Sequence, residues 1–326
     1  MDIDIFKIEE NLERISQKIK ADRNEYQNVL DIEIKRLYDK FKTTKGYSDL
    51  IKNRYNPYFE NGLKSISFII KYLLEVFQLI KNVTPKIINT ENAINLGITL
   101  DKNENQAYNN PMYYIRDLIE YYLDTFREIY FLVENNFIFG ALARMRILLE
   151  IYCIFNYLLL NPIAIRRYID HSFVKKYNNK IKYAQNVTYQ EELLFISIKE
   201  KYKDEFEYFS KNYGWAINLK NFDSFDEIQK IASNNDKSRY DFIKSMYSML
   251  SEYSHSSAFI VYKQNNLSKF NIIAFLVFCG DMSLSIISKY INWIFQNFEN
   301  MDNDVKYLIP ILEYLRQLIF PIHPLD

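Results

Sequence analysis

The chain has 326 residues, and 41 lysines and arginines balance 41 aspartates and glutamates. Apolar residues make up 48% and charged residues 25%, as in an average soluble globular protein. The zero net charge disfavours a protein whose main task is to grip phosphate backbones. The chain has only 6 glycines, which nearly excludes dinucleotide-binding and phosphate-loop folds, because their tight turns need glycine at fixed positions.

The two cysteines, Cys153 and Cys279, have no second cysteine or histidine at metal-ligand spacing. We therefore expect no zinc site and no disulfide framework. No cofactor is predicted. The beginning of the chain, MDIDIFKIEENLER, is acidic and mixed in character, so no secretory signal is expected. The longest apolar run, Ile272 to Cys279, falls short of the about 20 residues that a membrane span needs. These features predict a cytoplasmic protein with no membrane partner.

An N-terminal helical arm is predicted first along the chain. Ile5, Ile8, Leu12, Ile15 and Ile19 recur at alternating steps of three and four, the spacing of one helical face. The pattern resumes after a polar stretch and predicts one long helix, or two with a break, over residues 4–44. Two interpretations stay open: an amphipathic helix that packs on its own domain, or a coiled-coil arm that forms a homo-oligomer.

Helical periodicity continues through the rest of the chain. Asn-Pro steps at 56–57, 110–111 and 161–162 place proline in a first helical turn, where its missing N–H costs nothing. No stretch alternates apolar and polar residues as strands do, so we expect almost no sheet. The predicted helices cover about 57–82, 111–135, 137–160, 162–185, 189–212, 225–234, 239–256, 269–298 and 303–319.

These elements predict an all-α, multi-helix bundle with a long N-terminal helical arm. We expect the arm over residues 1–82, a polar, Asn-rich linker or loop over 83–110, and a bundle core with a C-terminal helix over 111–326. Helix 137–160 is apolar almost all round, which is typical of a buried central helix.

A candidate polar site lies on two of these helices. Arg146 and Glu150 share one face of the apolar helix, four residues apart. A buried charge needs a partner, so we expect the two to engage each other and further polar groups. Tyr247, Ser251 and His255 follow one another at steps of four on a second helix, and a meeting of the two faces would form one network.

The role of this cluster has two interpretations. Buried polar networks often fix helix register without catalysing a reaction, and a single histidine is often a structural hydrogen-bonding group. Alternatively, His255 supplies acid–base chemistry and Arg146 stabilises developing negative charge. Whether the protein is an enzyme stays open at this stage.

The two polar elements, in this order, resemble an uncharacterised bacterial family of helical proteins. Its pattern is R-x-x-x-E on an apolar helix, then a tryptophan, then Y-x-x-x-S-x-x-x-H at the end of another helix. The resemblance spans about residues 108–300 and implies a helical fold and a site, but no reaction. The matching residues are Arg146, Glu150, Trp215, Tyr247, Ser251 and His255. The chain departs from the pattern at DEIQKIA, where Gln229 stands in a stretch in which the family usually has an arginine.

A looser similarity links the chain to nucleotide-binding helical domains, many of which are ribonucleases in toxin and phage-defence systems. Those ribonucleases use an arginine followed four to six residues later by a histidine. Arg166 and His171 have this spacing. The same helix carries the strongest basic segment of the chain, which a solvated helix face would explain equally well.

Two functions therefore compete, and a small-molecule pocket among the helices, lined by tyrosines and gated by the 83–110 loop, is a third possibility. The first is a helical binding or interaction module in a bacterial defence or stress system, with a protein partner. The second is a metal-independent ribonuclease or related phosphotransfer enzyme that acts on RNA through His255, or through Arg166 and His171.

Overall fold

The computed structural model describes residues 57–81, 87–88, 111–217, 219, 224–254, 269–299, 308 and 311–312. Helices dominate this part of the chain, and the single sheet in it pairs two residues with two in antiparallel fashion, Ile87 opposite Glu299 and Ile88 opposite Phe298. In chain order the elements are α1 (Pro57–Lys81), β1 (Ile87–Ile88), α2 (Pro111–Glu134), α3 (Ile138–Leu160), α4 (Ile163–Lys182), α5 (Tyr189–Lys201), α6 (Phe206–Phe209), α7 (Asp226–Ala232), α8 (Lys237–Ser254), α9 (Lys269–Asn297) and β2 (Phe298–Glu299).

The helix starts follow local chemistry. Both α1 and α2 begin at a proline of an Asn-Pro step, where no backbone N–H is lost. The start of α5 is a capping box, in which the Thr188 hydroxyl accepts from the Glu191 N–H and the Glu191 carboxylate accepts from the Thr188 N–H. Helix α4 begins directly after Pro162.

The chain divides into two compact units. The first comprises Met1–Ile88, Arg116–Tyr152 and Asp241–Asp326, and the second comprises Asn89–Ile115 and Cys153–Tyr240. Boundaries of the units fall inside α2, α3 and α8. The predicted division into an arm, a linker and a core stays a prediction, since most of residues 1–110 lie outside the described part.

The first unit has an aromatic and aliphatic core. Helix α1 packs against α9, and Tyr72, Phe77, Tyr122 and Phe126 are fully buried. Among the described residues, one stretch, Ile272–Gln296 of α9, is long and apolar enough to cross a membrane, and 78% of it is buried inside the protein. Such burial is compatible with the core helix of a soluble protein.

The second unit has its own core beside α4 and α5. Val174, Ile198, Tyr202 and Phe209 form one buried cluster, and the rings of Tyr202 and Phe209 stack with centroids 4.0 Å apart. Buried side chains line much of α3, as its nearly uniform apolar character predicts.

The structure confirms the all-α fold class. One predicted element is wrong: helix 189–212 ends at Lys201, turns, and is followed by the short α6. The reason is tertiary, because contacts from α4 hold Tyr202 and Glu205 outside a continuous helix. The arm over 4–44, most of the linker, most of the 303–319 helix and the tail with His323 lie outside the described residues.

Candidate functional site

The structure brings three of the predicted site residues together. The Arg146 Nη2 donates to the Tyr247 hydroxyl at 3.1 Å, and that hydroxyl donates to the Glu150 Oε1 at 2.9 Å. The Arg146 Nε lies 3.3 Å from the same Oε1. The guanidinium carbon also lies 5.2 Å from the centre of the Tyr247 ring. We call these three residues the Arg146 cluster; it joins α3 to α8.

The Arg146 cluster is only partly withdrawn from water. The side chains of Arg146 and Glu150 keep 23% and 29% exposure. Burial tends to lower the pKa of Arg146, but the hydrogen bond to Tyr247 and the charge of Glu150 outweigh it and raise the pKa. Burial also raises the pKa of Tyr247. Both groups therefore keep their protons at neutral pH: the guanidinium is a fixed cation, and the phenol proton is donated to Glu150.

The two remaining residues of the predicted site are Ser251 and His255. Ser251 does not donate its hydroxyl proton to a side chain of the Arg146 cluster, because its Oγ donates to the Tyr247 backbone oxygen in its own helix at 2.7 Å. This back-bond one turn away is common for serine in helices. His255 lies outside the described residues, so its place in the site stays a prediction.

A second polar network, which the sequence analysis missed, surrounds the buried Asp170 in α4. Its Oδ1 lies 3.1 Å from the Arg166 Nε. Its Oδ2 accepts from the Lys201 Nζ at 2.6 Å and from the Tyr202 hydroxyl at 2.9 Å. The Arg166–Asp170 spacing of four residues signals the first pair in the sequence. The partners from the end of α5 have no such local signal.

Arg167 fixes the segment that follows α5. Its guanidinium donates two hydrogen bonds to the Glu205 carboxylate, at 2.6 and 3.2 Å. It also donates to the backbone oxygens of Gly214 and Trp215, each at 3.1 Å. A side chain at position 214 would clash with the backbone oxygens of Tyr208 and Phe209, so glycine is required for this close approach.

His171 has a structural environment. It is buried, and its Nε2 donates to the Lys211 backbone oxygen at 2.7 Å, while its ring meets that of Phe209 edge to face. Burial lowers the pKa of His171 to about 4, so the ring is neutral at pH 7. Arg166 pairs with Asp170 instead, and five residues separate Arg166 from His171 by about 140° around the helix.

Two further residues of the resemblance occupy the second unit. Trp215 is buried, and its ring meets those of Tyr157 and Tyr168 edge to face. The Tyr157 hydroxyl donates to the Ile217 backbone oxygen and accepts from the Ile217 N–H. Gln229 is buried in α7, and its side-chain nitrogen finds no hydrogen-bond acceptor among the described residues.

The described residues contain no group of three or more histidine, cysteine, aspartate or glutamate side chains that could hold a metal ion. Cys153 and Cys279 are buried free thiols, and burial raises the pKa of Cys279.

A groove of about 350 Å³ lies between α4 and α5, lined in part by Phe173, Tyr177 and Phe195.

The most exposed apolar surface lies on the α4–α5 hairpin. Large apolar side chains that remain exposed number thirteen in the described part of the chain, and six of them fall between residues 181 and 196: Ile181, Tyr183, Tyr189, Leu193, Leu194 and Ile196. By contrast, Ile198 is the buried residue of α5. Tyr189, Leu193, Ile196 and Glu200 follow at steps of four, three and four on one side of α5. We call this row the α5 face.

Comparison with known proteins gives one match. Residues 112–269 match the model of a family of unknown function, DUF5677. The match covers just under half of the chain and runs from the first turn of α2 through α8, including the Arg146 cluster and the α5 face. No curated protein and no solved structure matches the chain. The expected resemblance to an uncharacterised domain family is thus supported over this segment.

Proposed function

We propose that the protein is a helical interaction module that binds a protein partner through the α5 face. The observation that carries the proposal is the exposure of Tyr189, Leu193 and Ile196, at 74%, 48% and 53%. Contiguous exposed apolar side chains of this kind are typical of interaction sites. Tyrosine is also enriched in such sites, because its ring is apolar and its hydroxyl stays hydrated.

Two of the candidate catalytic residues, Tyr247 and His171, have environments that favour binding over catalysis. In the Arg146 cluster, Arg146 and Tyr247 keep their protons and engage each other. His171 donates to a backbone oxygen from a buried position. A catalytic base needs access to a substrate and a pKa near the working pH, and neither Tyr247 nor His171 combines the two.

In-cell photocrosslinking tests the proposal. A photoreactive residue at position 193, in the full chain and in cells that naturally produce it, should yield discrete crosslinked products. The matched control is position 137, because Phe137 is 62% exposed and lies outside the α5 face. Products at 193 and none at 137 are expected. Equal products at both positions, or none at 193, would contradict the proposal.

Ribonuclease activity is a second candidate, and the contacts among Arg146, Tyr247 and Glu150 support it. An arginine beside a phenol can stabilise an oxyanion, and His255 would then supply the proton transfer. Incubation of the purified chain with single-stranded and structured RNA tests this. Cleavage that His255→Ala and Arg146→Gln both abolish would establish it, whereas intact RNA would refute it.

A role in bacterial defence or stress response stays a prediction, as does oligomerisation through the N-terminal arm. The predicted cytoplasmic location and RNA partner have the same standing. Each needs a measurement of its own.

A further inference from the structure

We infer that the partner of the α5 face is a second copy of the same chain, paired antiparallel about a two-fold axis. This inference rests on the proposed function and names the partner. Its basis is that the face is complementary to itself in both apolar and charged groups. Two copies that meet this way present the same surface to each other, which is the arrangement of most homodimers.

The apolar centre of the face pairs with itself. In an antiparallel pair centred between Leu193 and Ile196, Leu193 of one copy lies opposite Ile196 of the other. Tyr189 then lies opposite Glu200, so that a phenol can donate to a carboxylate. Glu200 is exposed in the row of apolar side chains, and its Oε1 lies 3.3 Å from the Lys203 Nζ of the same chain. A carboxylate accepts several hydrogen bonds, so it can accept from the phenol as well.

The charges beside the face are complementary in the same arrangement. The first turn of α5 is acidic and its last turn is basic. Glu192 and Lys199 are both exposed, and seven residues place them on the same flank, within about 20° around the helix. The Lys199 Nζ also lies 5.9 Å from the centre of the Phe206 ring in its own chain, a contact that leaves the ammonium free to bind a carboxylate. A two-fold axis perpendicular to the two helices places the same flank of each copy on the same side of the pair. Each Glu192 therefore lies beside the other copy's Lys199, offset by about 3 Å along the axis.

The size of the face sets the strength of the pairing. A helix of 13 residues is about 20 Å long, and two such helices bury less than the about 1,200 Å² of stable complexes. We therefore expect an association that depends on concentration, with monomer and dimer in exchange.

Charge reversal with sedimentation velocity tests the pairing in the purified full chain. Wild type should shift from monomer towards dimer as concentration rises. Glu192→Lys and Lys199→Glu should each weaken association about tenfold, because every dimer would then hold two like-charge contacts. An equimolar mixture of these two variants should restore association, since each contact in the mixed pair joins opposite charges. The double variant E192K/K199E should restore it too.

The outcomes separate this inference from the proposed function. A chain that is monomeric at all concentrations overturns the self-pairing, while crosslinks from position 193 to a different protein would still support the function. If Glu192→Lys, Lys199→Glu and Leu193→Asp all leave the association unchanged, the inference is overturned too, because the copies must then associate through another surface. Unfolding curves of each variant serve as the folding control; both charges are exposed, so the variants should fold.

Discussion

Tyr247 is the residue on which the Arg146 cluster depends, because its hydroxyl accepts from Arg146 and donates to Glu150. Tyr247→Phe keeps the ring and removes both hydrogen bonds. We expect the free energy of unfolding to fall by about 1–3 kcal/mol, as for other losses that leave a partly buried polar group without its partner. Urea unfolding checks this, with Tyr183→Phe at an exposed position as the matched control. An unchanged value for Tyr247→Phe would mean that the cluster contributes nothing to the fold.

His171 should make stability depend on pH. Its pKa is lowered from 6.5 to about 4 in the folded chain, so the unfolded chain binds the proton more tightly. The neutral ring makes its full contribution to the free energy of unfolding above pH 6.5. This contribution is lost as the pH falls from 6.5 to about 4. The expected loss is about 3 kcal/mol.

Unfolding free energies at a series of pH values measure this dependence. His171→Gln keeps a side-chain N–H donor for Lys211 but does not titrate, so its stability should change less between pH 6.5 and 4. Glu191 affects stability at lower pH than His171 does, because its hydrogen bond to Lys180 lowers its pKa to about 2. Equal pH profiles for wild type and His171→Gln would contradict the assignment.

At the scale of elements, Asp170 ties α4 to the end of α5. Its side chain is 2% exposed and contacts Arg166, Lys201 and Tyr202. Asp170→Asn removes the charge that both cations approach, and we expect a loss of about 3 kcal/mol in unfolding free energy. Lys201→Met should cost less than about 1 kcal/mol, because the lysine is 48% exposed. Comparable losses from the two variants would contradict a central role for the carboxylate.

The turn after α4 offers a stabilising change. Ala184 has a φ of 50°, in the left-handed region that favours glycine, and it follows the end of the helix, where glycine is common. Ala184→Gly should raise the unfolding free energy by about 1 kcal/mol. Ala164→Gly in α4, a buried helical position, is the matched control and should lower it.

Sequence alone predicted the helices well and one contact of the candidate site, whose function stays a prediction. The 3.6-residue period predicts α1, α2 and α3, and the Asn-Pro steps mark where α1 and α2 begin. The four-residue spacing of Arg146 and Glu150 brings that pair together. The break after Lys201 could not be predicted, because it depends on Arg167 and Asp170 in another helix. The Asp170 network could not be predicted for the same reason, since Lys201 lies 31 residues from Asp170 in the sequence.

For the whole molecule, the two compact units divide the candidate features between them. The Arg146 cluster lies in the first unit, and the Asp170 network and the α5 face lie in the second. We interpret the first two as contributions to stability and the α5 face as the surface that binds. The second unit carries six large exposed apolar side chains between residues 181 and 196 at its surface.

Hydrogen–deuterium exchange of the full chain at low and high concentration tests this account most directly. If the α5 face is an interface between copies, amides of residues 192–199 should exchange more slowly at high concentration, because pairing opposes local opening of the helix. Amides of α2 around Tyr121 and Phe131, whose side chains are also exposed and apolar, should exchange at the same rate at both concentrations. Unchanged exchange across α5 would contradict the account.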